Sequence, residues 1–431
     1  MLKSTLSRMN RKLEAATYGR FFRDIGIVSV VRLSGGLLLF ISQIFLARWM
    51  TTEAFGIYSF AWTWVAVLGS LAGLGLAATS VRFLAGYRAL GDHDHMRGLV
   101  RHAWRATMGV SFLIAIAAWL MFELTLPDSP YLPALRVAML AVPVMAALNI
   151  DAAFARGMQW MSIASLAEQI GRPALLLLCG VIMVEAIGIR AAVPFVAACL
   201  AAYFLVTFAQ HIVVHRRLAS ALGGGARRYD GVQWRKVSAM LLLLNGAQML
   251  RMNGDPILVG ALLGPEELGI YIAAVRTATL VSFVMTITSV VAQPNLSAIH
   301  ARQDGQELDR FFATARRWTF LATLASGIVL TVAGKLILAQ FGPEYVAAYA
   351  ALLIFLAGHV IAAAFGPVTS LLIMSDRQRA AAVILGIATL LNAALTILLA
   401  GRYGVNGAAL ASSISLIFSQ VALVLLRRRS V

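Results

Sequence analysis

The chain has 431 residues, 60% of them hydrophobic and 13% charged, with a formal net charge of +17. So much apolar residue with so little charge excludes a water-soluble domain and marks a polytopic membrane protein. The basic balance reports topology in such a chain rather than nucleic-acid binding, and Cys179 and Cys199 both fall inside apolar runs, where neither suits an exposed disulfide or a metal site.

In chain order, a basic tail over 1–24 carries Lys3, Arg8, Arg11, Lys12, Arg20 and Arg23 and suits an anionic membrane surface. It is not a cleavable signal peptide, because the apolar run behind it is too long. Twelve apolar segments follow, each long enough to cross a bilayer: 25–47, 55–81, 106–126, 132–153, 162–184, 191–214, 237–262, 267–294, 317–340, 346–373, 379–400 and 405–426. Arginine clusters follow the second, sixth, eighth and tenth spans (Arg82 and Arg88, Arg216 and Arg217, Arg302 and Arg310, Arg377 and Arg379), and Arg427 to Arg429 close the chain. The alternate loops hold Glu53, Asp128, Glu185, Glu266, Glu267 and Glu344 beside only a few cations. The positive-inside rule therefore places both termini in the cytoplasm.

The phrase TTEAFGIY (Thr51 to Tyr58) returns as GPEELGIY (Gly264 to Tyr271), with Glu53 and Glu266 at matching places and close to half the chain length apart. ARGMQW (Ala155 to Trp160) is matched by MSDRQR (Met374 to Arg379), and GIRAAVPFVAA from Gly188 by GVNGAALASS from Gly404. The chain thus reads as two parallel repeats of six spans, a bundle over 25–222 and another over 237–426, joined by a linker over 223–236 and closed by a basic end at 427–431. The acids and the proline of the two phrases suit helix starts at outer-face turns.

ISQIFLARWMTTEAFGIYSF, NGDPILVGALLGPEELGIYIAAVR and RYGVNGAALASS resemble the Wzx-type polysaccharide flippases of the MATE-like exporter superfamily, in order and spacing over nearly the whole chain. The resemblance implies an all-α, V-shaped pair of six-helix bundles around a central cavity. It also implies a transporter rather than an enzyme, one that moves polyprenyl-diphosphate-linked oligosaccharide across the bacterial inner membrane for surface or exopolysaccharide synthesis. Membrane lipids, a polysaccharide polymerase and glycosyltransferases would be its neighbours. A MATE-type ion-coupled exporter of small molecules is the alternative. A membrane glycan polymerase or ligase is a more distant one, because every loop is short. Cofactors are not expected, beyond a coupling proton or Na+.

A charge inside a span costs about 2.5–3.5 kcal/mol and calls for a partner or an aqueous cavity. Arg32, Arg172, Arg251 and Arg276 are such charges, and guanidinium groups match the paired acceptors of a diphosphate. In span seven Asn245, Gln248, Arg251 and Asp255 recur at helical spacing and form one polar stripe, after which Pro256 is expected to interrupt the helix. We therefore assign substrate contact to Arg32, Arg172, Arg251, Arg276, Asn245 and Gln248, and ion coupling to Asp255 or Glu168. Structural pairs, Arg251 with Asp255 and Glu168 with Arg172, are the alternatives. Arg136 and Asp151 sit near the ends of span four and read as side chains snorkelling to the interface. Asp92-His93-Asp94-His95 reads as a solvated loop. Gly69, Gly73 and Gly75 read as a helix-packing motif, His359 as a satisfied core histidine, and Trp62 and Trp64 as interface anchors with sugar stacking as the alternative. A Walker A phosphate loop is absent from the sequence.

Overall fold

The computed structural model describes residues 34–186, 188, 190–281, 305–366, 368 and 378–428. Among these it is helical almost throughout, with no strand. We number the helices α1 (Ser34–Trp49), α2 (Thr52–Ala72), α3 (Leu76–Leu90), α4 (His93–Thr125), α5 (Leu132–Met139), α6 (Ala141–Gly157), α7 (Met161–Glu185), α8 (Ala192–Leu222), α9 (Gly231–Leu263), α10 (265–281), α11 (Gly305–Phe341), α12 (Tyr349–Ala363) and α13 (Gln378–Arg428).

Seven of these helices are long and apolar enough to cross a membrane, and an eighth span appears when α5 and α6, bent by 42°, are counted together. The remaining spans have identifiable reasons for falling short. α9 has the length but carries Arg235, Lys236, Arg251 and Asp255, and α1 and α10 are each bounded by residues outside the described set. α13 is two spans folded back on each other. At Gly404 the backbone takes φ 57° and ψ −139°, a conformation that suits glycine. A Cβ at Gly407 would then stand 2.1 Å from the Leu399 carbonyl oxygen, and Ser415 Oγ donates to the Ala388 carbonyl at 2.5 Å. The arms of α13 are therefore antiparallel neighbours.

Four local expectations change. Span two is broken at Gly73-Leu74-Gly75, where Leu74 and Gly75 both have positive φ. Packing explains the glycines there: a Cβ on Gly69 would meet the Met145 side chain at 2.7 Å, and one on Gly75 would meet the Ser238 carbonyl oxygen at 2.3 Å. The Asp92 to His95 stretch starts a helix instead of forming a loop. Asp92 Oδ1 accepts from His95 N at 3.1 Å, which caps α4 and holds the Asp92 carboxyl below the usual carboxylate range. Pro256 does not interrupt α9, which runs on to Leu263. Its missing N–H removes one ladder bond, and the surrounding helices hold the axis together. Trp62 is no interface anchor: it stacks on Tyr203, ring centroids 4.7 Å apart, between helices.

The two repeated phrases meet. Thr51 Oγ1 accepts from Ala54 N at 3.2 Å and starts α2, with Glu53 in its first turn. A Cβ on Gly56 would lie 1.7 Å from the Pro265 carbonyl oxygen, and one on Gly269 would lie 2.4 Å from the Thr52 carbonyl oxygen. Gly56 and Gly269 hold the same place in the two copies of the phrase, as do Thr52 and Pro265. Each phrase thus presses its glycine onto the other's first turn, a reciprocal contact about a local two-fold axis. Phe55, Tyr58, Tyr271, Phe341 and Tyr345 are buried around it in one apolar cluster drawn from both halves. At the opposite end α9 packs on the first half: Trp234 is fully buried and its Nε1 donates to Tyr87 Oη at 3.1 Å. The connection after α8 is pinned there too, by Arg228 N donating to the Asp94 carbonyl at 3.1 Å and Arg97 Nε to the Ala226 carbonyl at 2.9 Å.

Candidate functional site

Two polar sites among the described residues bear on the charges named from the sequence. The first is a cavity of about 160 Å³ enclosed by α1, α2, α6, α7, α8, α9 and α10, so both halves contribute walls. Arg172 and Arg276 line it together with Gln43, Tyr58, Ser59 and Tyr203. Arg172 follows a π turn over Ala167–Gly171, in which its N–H donates to the Ala167 carbonyl. Pro173 just behind it lacks a donor, and a π turn is a common answer to such a defect in the ladder. The Arg172 guanidinium lies over the Tyr203 ring at 5.3 Å from the centroid. Arg276 extends from α10 on the facing wall. It has no hydrogen-bond or ion-pair partner among the described residues, and it lines this cavity. Ser59 Oγ is buried there without a partner among those residues as well. None of the described residues lining the cavity is acidic. Two cations facing one small enclosure repel each other, and an anion between them relieves that repulsion.

The second site surrounds Asp255 on α9. Ser412 Oγ donates to its Oδ2 at 2.6 Å, Tyr271 Oη to the same oxygen at 3.3 Å, and Asn392 Nδ2 to Oδ1. Thr396 Oγ1 reaches Asn392 Oδ1 at 3.5 Å and extends the network. All of these donors come from the second half, on α10 and both arms of α13. Arg251, one turn before Asp255, makes no ion pair with it within 4.0 Å, and its Nε is buried without a hydrogen-bond partner among the described residues. A carboxylate held by two hydroxyl donors and one amide N–H, inside a helix bundle, is a group that can take up a proton or a small cation.

The other residues named from the sequence are placed as follows. Asn245 and Gln248 are exposed on α9 and do not line the arginine cavity. Arg251 does not line it either. Arg32 and the side chain of Glu168 lie outside the described residues. Arg136 pairs with Glu123 through two bonds of 2.6 and 2.8 Å at the end of its span. His359 is satisfied within its helix, 2.8 Å from the Phe355 carbonyl. Asp151 is the correction: it does not snorkel but is fully buried, with His211 Nδ1 and His215 Nε2 donating to its two oxygens at 2.8 and 3.1 Å. The i, i+4 spacing of those histidines was the signal available in the sequence. Asn392, Ser412 and Ser59 offered none, because single small polar residues in apolar helices are common.

Paired helix bundles around a polar cavity are what this fold and these sites define. Solved structures carry the same fold. The chain is similar to the inward-facing form of a multidrug resistance MATE family transporter (13% identity, 93% of this chain and 98% of that one, TM-score 0.73) and to the lipid II flippase MurJ in an inward closed conformation (14%, 93% and 87%, TM-score 0.74). An outward-facing MATE family transporter aligns with a TM-score of 0.67 at 13% identity, over 94% and 95% of the two chains. No curated protein sequence matches the chain. The family model "Polysaccharide biosynthesis protein" matches residues 21–300, well over half of the chain, and the protein belongs to that family. It is a multi-pass membrane protein of that family, with the fold of the solved MATE transporters and of the solved flippase.

Proposed function

We propose that the protein flips a polyprenyl-diphosphate-linked oligosaccharide across the bacterial inner membrane by alternating access, with both termini in the cytoplasm and the bundles over 25–222 and 237–426 moving against each other. The observation that carries this reading is the cavity faced by Arg172 and Arg276 and lined by no acid among the described residues. Charge-assisted bonds from two guanidinium groups suit a diphosphate. A cationic drug would instead call for acids on that wall. At about 160 Å³ the cavity is smaller than the ~300–1,000 Å³ of a typical ligand pocket. It holds a headgroup's diphosphate, and the glycan enters only as the bundles part. Arg32, Asn245, Gln248 and Arg251 contact the substrate at other stages of that movement.

Asp255, with Glu168 as a second candidate, binds a proton or Na+ and biases the two conformations, since a ligand shifts an equilibrium only by its differential affinity. Glycosyltransferases and a polymerase supply and consume the cargo.

The test is a deletion strain complemented with Arg172→Ala/Arg276→Ala, followed by the amount of lipid-linked repeat unit reaching the outer leaflet. We expect export to fall at least about 100-fold at unchanged protein level, the loss of two charge-assisted contacts at roughly 1.5–3 kcal/mol each. Export at the wild-type rate by the double variant removes the diphosphate reading.

A further inference from the structure

The Asp151–His211–His215 cluster lies apart from both sites above and has no part in the flipping reading. Asp151 is on α6, and the histidines are one turn apart on α8, so both rings project from one face of that helix. The carboxylate is fully buried and touches one ring with each oxygen, at 2.8 and 3.1 Å. The ring centroids are 4.0 Å apart, too close for both imidazoles to carry charge comfortably. The three potential ligand atoms all lie within 4.8 Å of one another.

From this geometry we propose that Asp151 Oδ, His211 Nδ1 and His215 Nε2 form a binding site for a divalent transition metal of the zinc type. Tetrahedral zinc with bonds of about 2.0–2.1 Å places its ligand atoms about 3.3 Å apart. The two N···O separations are 2.8 and 3.1 Å, a few tenths of an ångström short of that, and all three ligand atoms lie within 4.8 Å of one another. Two neutral imidazoles and one carboxylate are a donor set that such ions favour over Mg2+ or Ca2+. On binding, each neutral histidine moves its proton from the ligating nitrogen to the opposite ring nitrogen and presents a lone pair to the metal, and the dication neutralises the buried carboxylate. Access is open, because each histidine side chain is about one-third exposed and His215 lines a cavity of about 420 Å³ between α4 and α8. Water takes the fourth position from that side. Arg97, Arg101 and Arg105 line the same cavity and oppose a free dication at long range. That opposition is screened by solvent over about 8 Å, whereas the inner-sphere bonds are not. Trp104, packed on both rings at 5.5 and 6.4 Å, holds them in place.

The experiment is a Zn2+ titration by calorimetry of the tag-free full-length protein in detergent after chelator treatment, repeated with Co2+ and its visible spectrum. We expect one equivalent bound at about micromolar affinity or tighter, a tetrahedral Co2+ spectrum, and a rise in thermal midpoint on Zn2+ addition. His211→Ala and His215→Ala should each weaken binding by at least about 100-fold, more than changes behind the ligands cost. The histidines are partly exposed, so these variants should fold where Asp151→Asn fails to. Asp92→Asn/His95→Ala, which removes another acid–histidine contact among the described residues of this half, should leave binding unchanged. Absence of saturable Zn2+ binding, or binding that survives His211→Ala/His215→Ala, overturns the proposal.

Discussion

Tyr58 and Tyr271 end the two copies of the repeated phrase, and they sit in opposite chemistries. Both are buried. Tyr58 Oη meets the Cys199 thiol at 3.4 Å and lines the arginine cavity, whereas Tyr271 Oη donates to a carboxylate and contacts Ser412 Oγ at 3.3 Å. Even the partners keep the register of the repeat, since Cys199 precedes Ser412 by the same stretch of chain that separates the two tyrosines. The two copies of the phrase therefore hold matching places, with a thiol beside one tyrosine and a hydroxyl and an acid beside the other. A repeat of this kind supplies two equivalent frames in which different sites can be built.

The strongest way to break the comparison is at its axis. Gly56→Ala and Gly269→Ala each put a methyl group where backbone already stands, so each should destabilise the protein by at least the ~1–3 kcal/mol typical of overpacking. Thermal unfolding of the purified variants measures this, and a fully stable Gly56→Ala protein would show that the phrases do not press together. Asp255→Asn comes next. It should leave the fold intact, because the amide keeps most of the bonds from Ser412 and Asn392, while transport loses its response to an imposed proton or Na+ gradient. A gradient response equal to wild type would move the coupling site elsewhere.

Tyr271→Phe should cost more than Tyr58→Phe. The first removes a bond to a buried charge, at roughly 1.5–3 kcal/mol, and the second only a weak contact with a thiol, below about 1 kcal/mol. Equal midpoints in paired unfolding curves would contradict the asymmetry. The smallest effect lies outside the membrane, at the Asp92 cap of α4. Its carboxyl is depressed by the bonds from His95, first the backbone N–H and then the ring, so its contribution is present above the unfolded carboxylate range and fades as pH falls through the lower folded value. Hydrogen exchange at residues 93–96 should therefore quicken only in acid, and should be pH-independent in the same window in Asp92→Ala.

Much of the architecture was legible from local pattern. Hydropathy runs marked the spans because each must satisfy its own backbone in lipid, and that constraint acts along the chain. The repeated phrase marked the duplication, and the mid-span arginines announced a polar interior because their cost in lipid is too large to be incidental. Pro256 and the glycines at 73 and 75 show where such reading fails. A proline that breaks an isolated helix is carried through when neighbours hold the axis. Two glycines that read as packing also mark a chain break, because the Ser238 backbone arrives from a different helix.

What the sequence by itself determined, then, is the membrane, an all-helical build of apolar spans, and where along them the charges stand. Only the tertiary structure decided which charges meet. Asp255 is satisfied by residues 137 and 157 positions away, and Asp151 by histidines 60 and 64 away. Arg172 and Arg276 face one cavity from different halves. Spacing along a helix fixes which face a side chain occupies, but lateral packing between helices chooses the neighbour, and that choice is made by the shapes of whole helix surfaces rather than by any short run of residues.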